Sequence, residues 1–327
     1  MKAWTVTAVG RPADVMQLVR RELPTPGAGE LRVRVLAAGV GLPEVLMCRD
    51  AYAYKPARPF TPGHEVVGIV TDANGQPGFE NGQRVMGVTA FYNGSGGHAE
   101  EALLLSASAT RVPAHMSDEH AAVFTIGYNT AYIGLVVRAG LTARETLLIH
   151  GAAGGTGFAA VQLGKAVGAR VIAVARGAEK CQRCTRDGAD EVIDSATVDW
   201  LARVNALTAG RGVDVVFDPV GGEVFGQSLN CLAYGGRLLA IGFASGRWGQ
   251  VRTQDLVNRN ATVVGAIAVP PDQATADRMR RQLAVWYDEG ALDPRVTRVV
   301  EFEAVPEALT LVEERQAVGK LVVRISE

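Results

Sequence analysis

The stretch TLLIHGAAGGTGFAAVQLGKAVGARVIAVAR, residues 146–176, decides how this chain is read. An apolar run enters a loop holding Gly151, Gly154, Gly155 and Gly157, a helical pattern leaves it, and a second β-branched run ends at Ala175. Small residues at such a turn let backbone N–H groups approach a pyrophosphate at a helix start. The spacing fits the fingerprint G-x-G-x-x-G when Ala152 takes the first place, followed by Gly154 and Gly157. Two glycines in a turn are commonplace. Strand, loop, helix and second strand together point to dinucleotide binding through Gly151, Ala152, Gly154, Gly155, Thr156 and Gly157.

The end of the second run bears on which dinucleotide. A reader of NAD usually places Asp or Glu there to hold the ribose 2′-hydroxyl. Here Ala175 stands in that place, followed by Arg176 and Lys180. An acid repels a 2′-phosphate, whereas a guanidinium binds it with two N–H groups, so NADPH is the expected cofactor. The alternative is that Arg176 and Lys180 only solvate a helix start.

Outward from this unit the texture differs. Toward the C-terminus the alternation continues through RVIAVA, DEVID, VDVVFD, GRLLAIG and ATVVGAIAV, with helical patterns between, as in a parallel sheet covered on both faces. Upstream, SDEHAAVFTIGYNTAYIGLVVRAG (117–140) carries a Ser cap, acids in its first turn and Gly140 near its end, which are helix signals. The first third is β-rich: LRVRVLAAGV, EVVGIVTD, QRVMGV and HAEEALLL are short runs punctuated by Pro and Gly. The tail, from about residue 268, breaks the alternation and could fold back onto the first domain. The fold class is therefore α/β, a β-rich domain plus a doubly wound parallel sheet.

Bulk composition narrows the function. With 327 residues, 48% hydrophobic, 20% charged and a net charge of −1, the chain suits a globular protein of about two domains. Charges of both signs are mixed along it, giving no footprint for nucleic acid or an anionic membrane. No apolar run reaches the length of a membrane span, and the N-terminus is too often interrupted to read as a signal peptide. Four cysteines make no disulfide framework in a chain this long, so a cytoplasmic location is expected. The C-x-x-C of Cys181 and Cys184 lies inside a helical pattern without a second pair and reads as incidental.

The chain resembles the medium-chain dehydrogenase/reductase superfamily, and within it the zinc-independent NADPH:quinone oxidoreductase (zeta-crystallin-like) branch. The resemblance runs nearly end to end, through AAGV with Glu44 after it, PGHEVVGIV, GGHAEEALL, TIGYNTAY, GAAGGTG, VDVVFDPVGG, GGRLLAIGFASG and GKLVVRI. It implies a GroES-like catalytic domain built from residues 1–122 and 268–327, around a Rossmann domain at 123–267. It implies nicotinamide contacts from Asn129 and cofactor contacts from Val220, Gly242, Phe243, Ser245 and Lys320. It also implies a homodimer paired through the last Rossmann strand, ATVVGAIAV.

Zinc enzymes of this superfamily have cysteines where Gly41 and Thr125 stand here, beside His64. A lone imidazole is not a zinc site, so no metal is expected. His64 is then either a satisfied structural histidine or a group that shapes or protonates the nicotinamide end of the site. Tyr52 matches the family tyrosine and is the preferred hydrogen-bond donor to a developing oxyanion; Thr125 is a further candidate. Gly41 where the branch usually has Asn, and Ser195 where it often has Tyr, are departures. The function implied is hydride transfer from NADPH to a quinone or an α,β-unsaturated carbonyl. The alternatives are an enoyl-thioester reductase, a zinc-free alcohol dehydrogenase, or a nonenzymatic NADPH-binding structural or RNA-associated protein.

Overall fold

Residues 1–326 are described by the computed structural model, and they divide into two units: Met1–Ile126 with the chain from Pro294 onward, and Gly127–Asp293. In the first unit, β1 (Lys2–Val6) and β2 (Met16–Arg20) form an antiparallel ribbon. The long strand β3 (Glu30–Val40) organises the larger sheet with β4 (Glu65–Asp72), β5 (Arg84–Val88), β6 (Glu101–Leu105) and β7 (Thr110–Arg111). Alternation sends Leu31, Val33 and Val35 into one core with Val66, Val70, Val85 and Leu104. The register against β4 slips between Val35 and Ala37, so the inward set changes parity and Ala38 joins the same core. A short helix, Leu42–Cys48, follows β3 directly, with Pro43 in its first turn.

The second unit opens within a long helix. Asp118–Tyr132 is α-helical and continues as a π-helical turn over Ile133–Arg138, a departure from the uniform helix expected. This element is long and apolar enough to cross a membrane, yet 72% of its most apolar window is buried inside the protein, as befits a core helix. Then come β8 (Thr146–Ile149), β9 (Arg170–Ala175), β10 (Glu191–Asp194), β11 (Val213–Asp218), β12 (Leu232–Ala240) and β13 (Thr262–Gly265). All pair in parallel, in the order β10-β9-β8-β11-β12-β13. The order reverses between β8 and β11, so the loops leaving those two strands flank a topological switch point, where open α/β sheets bind ligands. Leu147, Leu148 and Ile149 are all fully buried because helices cover both faces.

Two boundaries differ from the sequence reading. The C-terminal return begins at Pro294, not near 268. The helix Gln273–Asp288 stays with the Rossmann unit, burying Thr275, Ala276, Met279 and Leu283 and setting Trp286 against Tyr132. Gln162 holds the segment after it, accepting from the Asp293 N–H and donating to the Asp293 carbonyl. The last Rossmann strand is also shorter than ATVVGAIAV: it ends at Gly265, leaving Ile267 and Val269 more than half exposed. The chain then returns as β14 (Val296–Glu301) and β15 (Lys320–Arg324), and β15 runs antiparallel to β3 with Leu321 opposite Val40.

Candidate active site

The glycine loop sits at the carboxyl end of β8, as its sequence predicts. Gly151 has φ +57°, a left-handed turn that ends the strand, and the Ala152 N–H donates to the Val174 carbonyl on the neighbouring strand. Gly157 opens the helix Gly157–Val167. A Cβ there would overlap the Gly151 carbonyl oxygen and stand 2.7 Å from the Ala152 Cα, so only glycine lets the helix start this close to the strand. Gly151, Gly154 and Gly155 expose their backbone, and the first-turn N–H groups of a helix have no acceptor within it. This is a cradle for an anion, and it fits the diphosphate of a nicotinamide dinucleotide.

The loops after β11 and β12 are knitted to each other beside it. The Ala244 N–H donates to the Pro219 carbonyl and the Ser245 N–H to that of Val220, while Gly221 and Gly222 both have positive φ. Val220 also faces Gly151, its Cγ2 standing 3.4 Å from where a Cβ would project. Asp218 ends β11 fully buried; its Oδ1 accepts from the Val220 and Gly221 N–H groups. Burial pushes its carboxyl up, and Oδ2 has no partner among the described residues, as at a site completed by a polar ligand or water. Gly151, Val220, Gly242, Phe243 and Ser245 thus share one edge of the sheet. Arg176 is exposed directly after β9. Beside it Asp194 accepts from the Gly177 N–H, and the Ser195 hydroxyl donates to the Ala175 carbonyl. Lys180 is half-buried in the following helix, and Asn129 half-buried in the long one. Cys184 is buried in its helix and its thiol pushed up to about 12 by that burial, which suits an inert thiol.

The first unit holds the second cluster, where β3 ends and β4 begins. His64 lies just before β4 and Glu44 on the helix Leu42–Cys48, and one carboxylate oxygen serves both His64 groups. Glu44 Oε1 is 2.9 Å from the His64 backbone N–H and 2.8 Å from Nδ1. Burial alone raises a carboxyl, but the charge and hydrogen bonds of His64 outweigh it and hold Glu44 down at about 2. An ionised carboxylate only accepts, so Nδ1 carries the hydrogen. His64 Nε2 is left buried without a partner among the described residues, as is Glu44 Oε2. Phe91 packs against the imidazole at a 3.8 Å centroid distance, and Tyr52 meets it edge-on at 5.4 Å. Burial, then the charge of Glu44, push the Tyr52 phenol up to about 12, so it stays a donor at neutral pH.

Glu65, next in the chain, turns to different partners. Its Oε2 accepts from the Ile126 N–H, one residue after buried Thr125, and its Oε1 lies 2.6 Å from Lys320 Nζ on β15. Lys320, expected at the cofactor, is therefore held in a buried ion pair within the first unit. The sequence reading named Glu44 as the acid after the first motif without its histidine partner, and it passed over His98. His98 is fully buried, Nε2 facing the Gly39 carbonyl at 3.1 Å, with burial holding its imidazole below the usual range. The signals were an acid in the first turn after Gly41 and a histidine in GGHAEE, and neither reveals its partner.

A zinc ion does not fit this cluster. Gly41 and Thr125 offer no ligand atom of the thiolate kind, and His64 Nδ1 is taken by Glu44. Among the described residues no three His, Cys, Asp or Glu side chains gather to hold a metal.

Comparison with known proteins agrees with this two-part arrangement. Residues 27–114 match the alcohol dehydrogenase GroES-like domain family, and residues 155–282 the zinc-binding dehydrogenase family. A quinone oxidoreductase-like protein 2 homolog of Nematostella vectensis is 33% identical over 307 residues, covering 92% of this chain and 83% of its own length. The crystal structure of Escherichia coli quinone oxidoreductase complexed with NADPH is similar with a TM-score of 0.90 at 25% identity, over 99% of this chain and 100% of that one. A crystal structure of an NAD-dependent alcohol dehydrogenase is similar with a TM-score of 0.87 at 28% identity, over 100% of both chains. The chain belongs to the medium-chain dehydrogenase/reductase superfamily, in its quinone oxidoreductase branch, and is an oxidoreductase with a nicotinamide cofactor.

Proposed function

We propose that this member of the quinone oxidoreductase branch is an NADPH-dependent reductase that passes hydride to a quinone or an α,β-unsaturated carbonyl without a metal. The observation that carries the reading is the carboxyl edge of the parallel sheet: a glycine loop at the switch point, with Ala175 ending β9 where an NAD reader has an acid and Arg176 exposed directly after it. When bound, the reduced nicotinamide supplies the hydride. The protein's part is to bind the diphosphate at Gly154–Gly157, hold the 2′-phosphate on Arg176, and offer hydrogen bonds to charge developing on the acceptor oxygen. Tyr52 is the proposed donor. Quinones and enones are electrophilic already, so a donor of this kind suffices in place of a Lewis acid. The similar structures include a quinone oxidoreductase complexed with NADPH and an NAD-dependent alcohol dehydrogenase, so the 2′-phosphate contact has to decide. We also propose that two copies pair through β13, an edge strand followed by exposed Ile267 and Val269.

The cofactor assignment is tested by titrating quenching of protein fluorescence with NADPH and with NADH. The wild type is expected to bind NADPH at least about tenfold more tightly, and Arg176→Ala to erase that margin by weakening NADPH alone, a loss of ~1.4 kcal/mol or more. Equal affinities in the wild type would remove Arg176 from its role.

A further inference from the structure

We infer that Asp194 is a specificity-determining residue for the cofactor: from the strand beside Ala175 it supplies the acid that β9 lacks, accepts from the ribose 2′-hydroxyl of NADH, and opposes the 2′-phosphate of NADPH. It thereby limits the preference that Arg176 sets. This role rests on the cofactor reading above, and every residue in it belongs to the Rossmann unit. An NAD reader places its acid at the end of the second strand, where this chain has Ala175. β10 pairs in parallel with β9, and its last residue, Asp194, stands opposite Ala175 in the register. Both strands end at the same carboxyl edge, so the acid missing from one is carried by the next.

The carboxylate is fixed at one oxygen and open at the other. Oδ1 accepts from the Gly177 N–H at 2.8 Å and from the Ala196 N–H at 2.9 Å, bridging the turns after β9 and β10. The Ser195 N–H and hydroxyl both donate to the Ala175 carbonyl, which ties the same turns a second time. Oδ2 has no hydrogen-bond partner among the described residues and keeps access to solvent. The two amide donors hold the carboxyl below its usual range, and the charge of Arg176 adds to their effect, so Asp194 is an anion at neutral pH. Arg176 itself is exposed and closes no ion pair among the described residues. The turn beside them is uncrowded: Gly177 has φ +92°, and a Cβ there would meet no protein atom within 4 Å. One edge of the sheet thus offers a cation and an anion that act on each other without touching.

That pair separates the two dinucleotides at a single group. A 2′-hydroxyl is a donor, and an ionised carboxylate accepts its hydrogen in a charge-assisted bond. A 2′-phosphate brings like charge to the carboxylate and gains only from the guanidinium. Asp194 therefore favours NADH, Arg176 favours NADPH, and the preference of the protein is the difference between them. Asp194→Asn isolates the charge, because its amide oxygen still accepts from Gly177 and Ala196 and the turns stay closed.

Fluorescence titration at low ionic strength with NADPH and with NADH tests the assignment in the wild type, Asp194→Asn, Arg176→Ala and the double variant. Asp194→Asn is expected to tighten NADPH about threefold and weaken NADH about threefold, widening the wild-type margin about tenfold. The NADPH gain is expected to persist in the double variant relative to Arg176→Ala, since the repulsion does not run through the guanidinium. If Asp194 only holds the turn at Gly177, Asp194→Asn binds both dinucleotides as the wild type does, and that result overturns the assignment. An NADPH gain that vanishes without Arg176 overturns it too, by making Asp194 a brake on Arg176 and not a contact to the ribose. Equal wild-type affinities for the two dinucleotides overturn the NADPH reading at Arg176, while the opposite shifts in Asp194→Asn still decide the role of Asp194.

Discussion

Gly157→Val is expected to abolish cofactor binding. The new side chain begins inside the space of the Gly151 carbonyl and within 2.7 Å of the Ala152 Cα, and both are backbone atoms fixed by their own hydrogen bonds. Gly151 ends β8 in a left-handed turn, and Ala152 is pinned to Val174 on β9. The helix Gly157–Val167 has to back away from the sheet, carrying its first-turn N–H groups off the phosphate position. Overpacking of this kind costs about 1–3 kcal/mol in a core. The loss of the aligned N–H groups adds to that, so affinity for NADPH is expected to fall at least about a hundredfold. Fluorescence titration reads it, with circular dichroism confirming that the sheet persists. Should the valine variant unfold, Gly157→Ala poses the same question with one methyl group. An alanine variant that binds as the wild type does would show that the loop yields, contrary to the geometry.

The second large effect lies at Glu65 and Lys320. Their 2.6 Å pair is buried, with side-chain exposures of 5% and 8%, and it ties the start of β4 to β15 from the far end of the chain. Among the described residues, Lys320→Met leaves the Glu65 carboxylate with the Ile126 N–H alone. Breaking one half of a buried pair costs about 3–5 kcal/mol, because the other charge stays desolvated. Melting is expected to fall by roughly 10 °C. Adding Glu65→Gln removes the stranded charge, keeps an acceptor for Ile126, and is expected to recover about half of the loss. NADPH affinity should stay within about twofold in the folded variants, since Lys320 is engaged inside the first unit. Unchanged melting in Lys320→Met would mean that the pair contributes nothing.

These two sites differ sharply in how far the sequence discloses them. The glycine loop is local: Gly151 to Gly157, the apolar run before them and the β-branched run after are contiguous, and their spacing alone implies strand, turn and helix. The reversal of strand order at β8 and β11 follows from the regular alternation downstream. The Glu65–Lys320 pair spans 255 residues of chain, and only the antiparallel return of β15 onto β3 creates it. No pattern in GKLVVRI separates a lysine aimed at a cofactor from one aimed at a buried glutamate. Glu44 and His64 are just 20 apart, but the short helix that aims the carboxylate inward was invisible to a reading that took this third as strands. The domain boundary at Pro294 escaped for a similar reason. Helix Gln273–Asp288 looks like a detached tail until Trp286 is seen against Tyr132 and Asp293 on Gln162.

The most direct test of the central claim follows the hydride itself. Reduced NADP carrying deuterium at the transferring position is incubated with the protein and, in separate reactions, a simple quinone and an α,β-unsaturated ketone, and the products are examined for label. Protein-dependent oxidation of the cofactor is expected with at least one acceptor, with deuterium on the β-carbon where the enone is reduced, and undiminished by a metal chelator. Tight NADPH binding without oxidation by either acceptor, or turnover that a chelator abolishes and zinc restores, would contradict it.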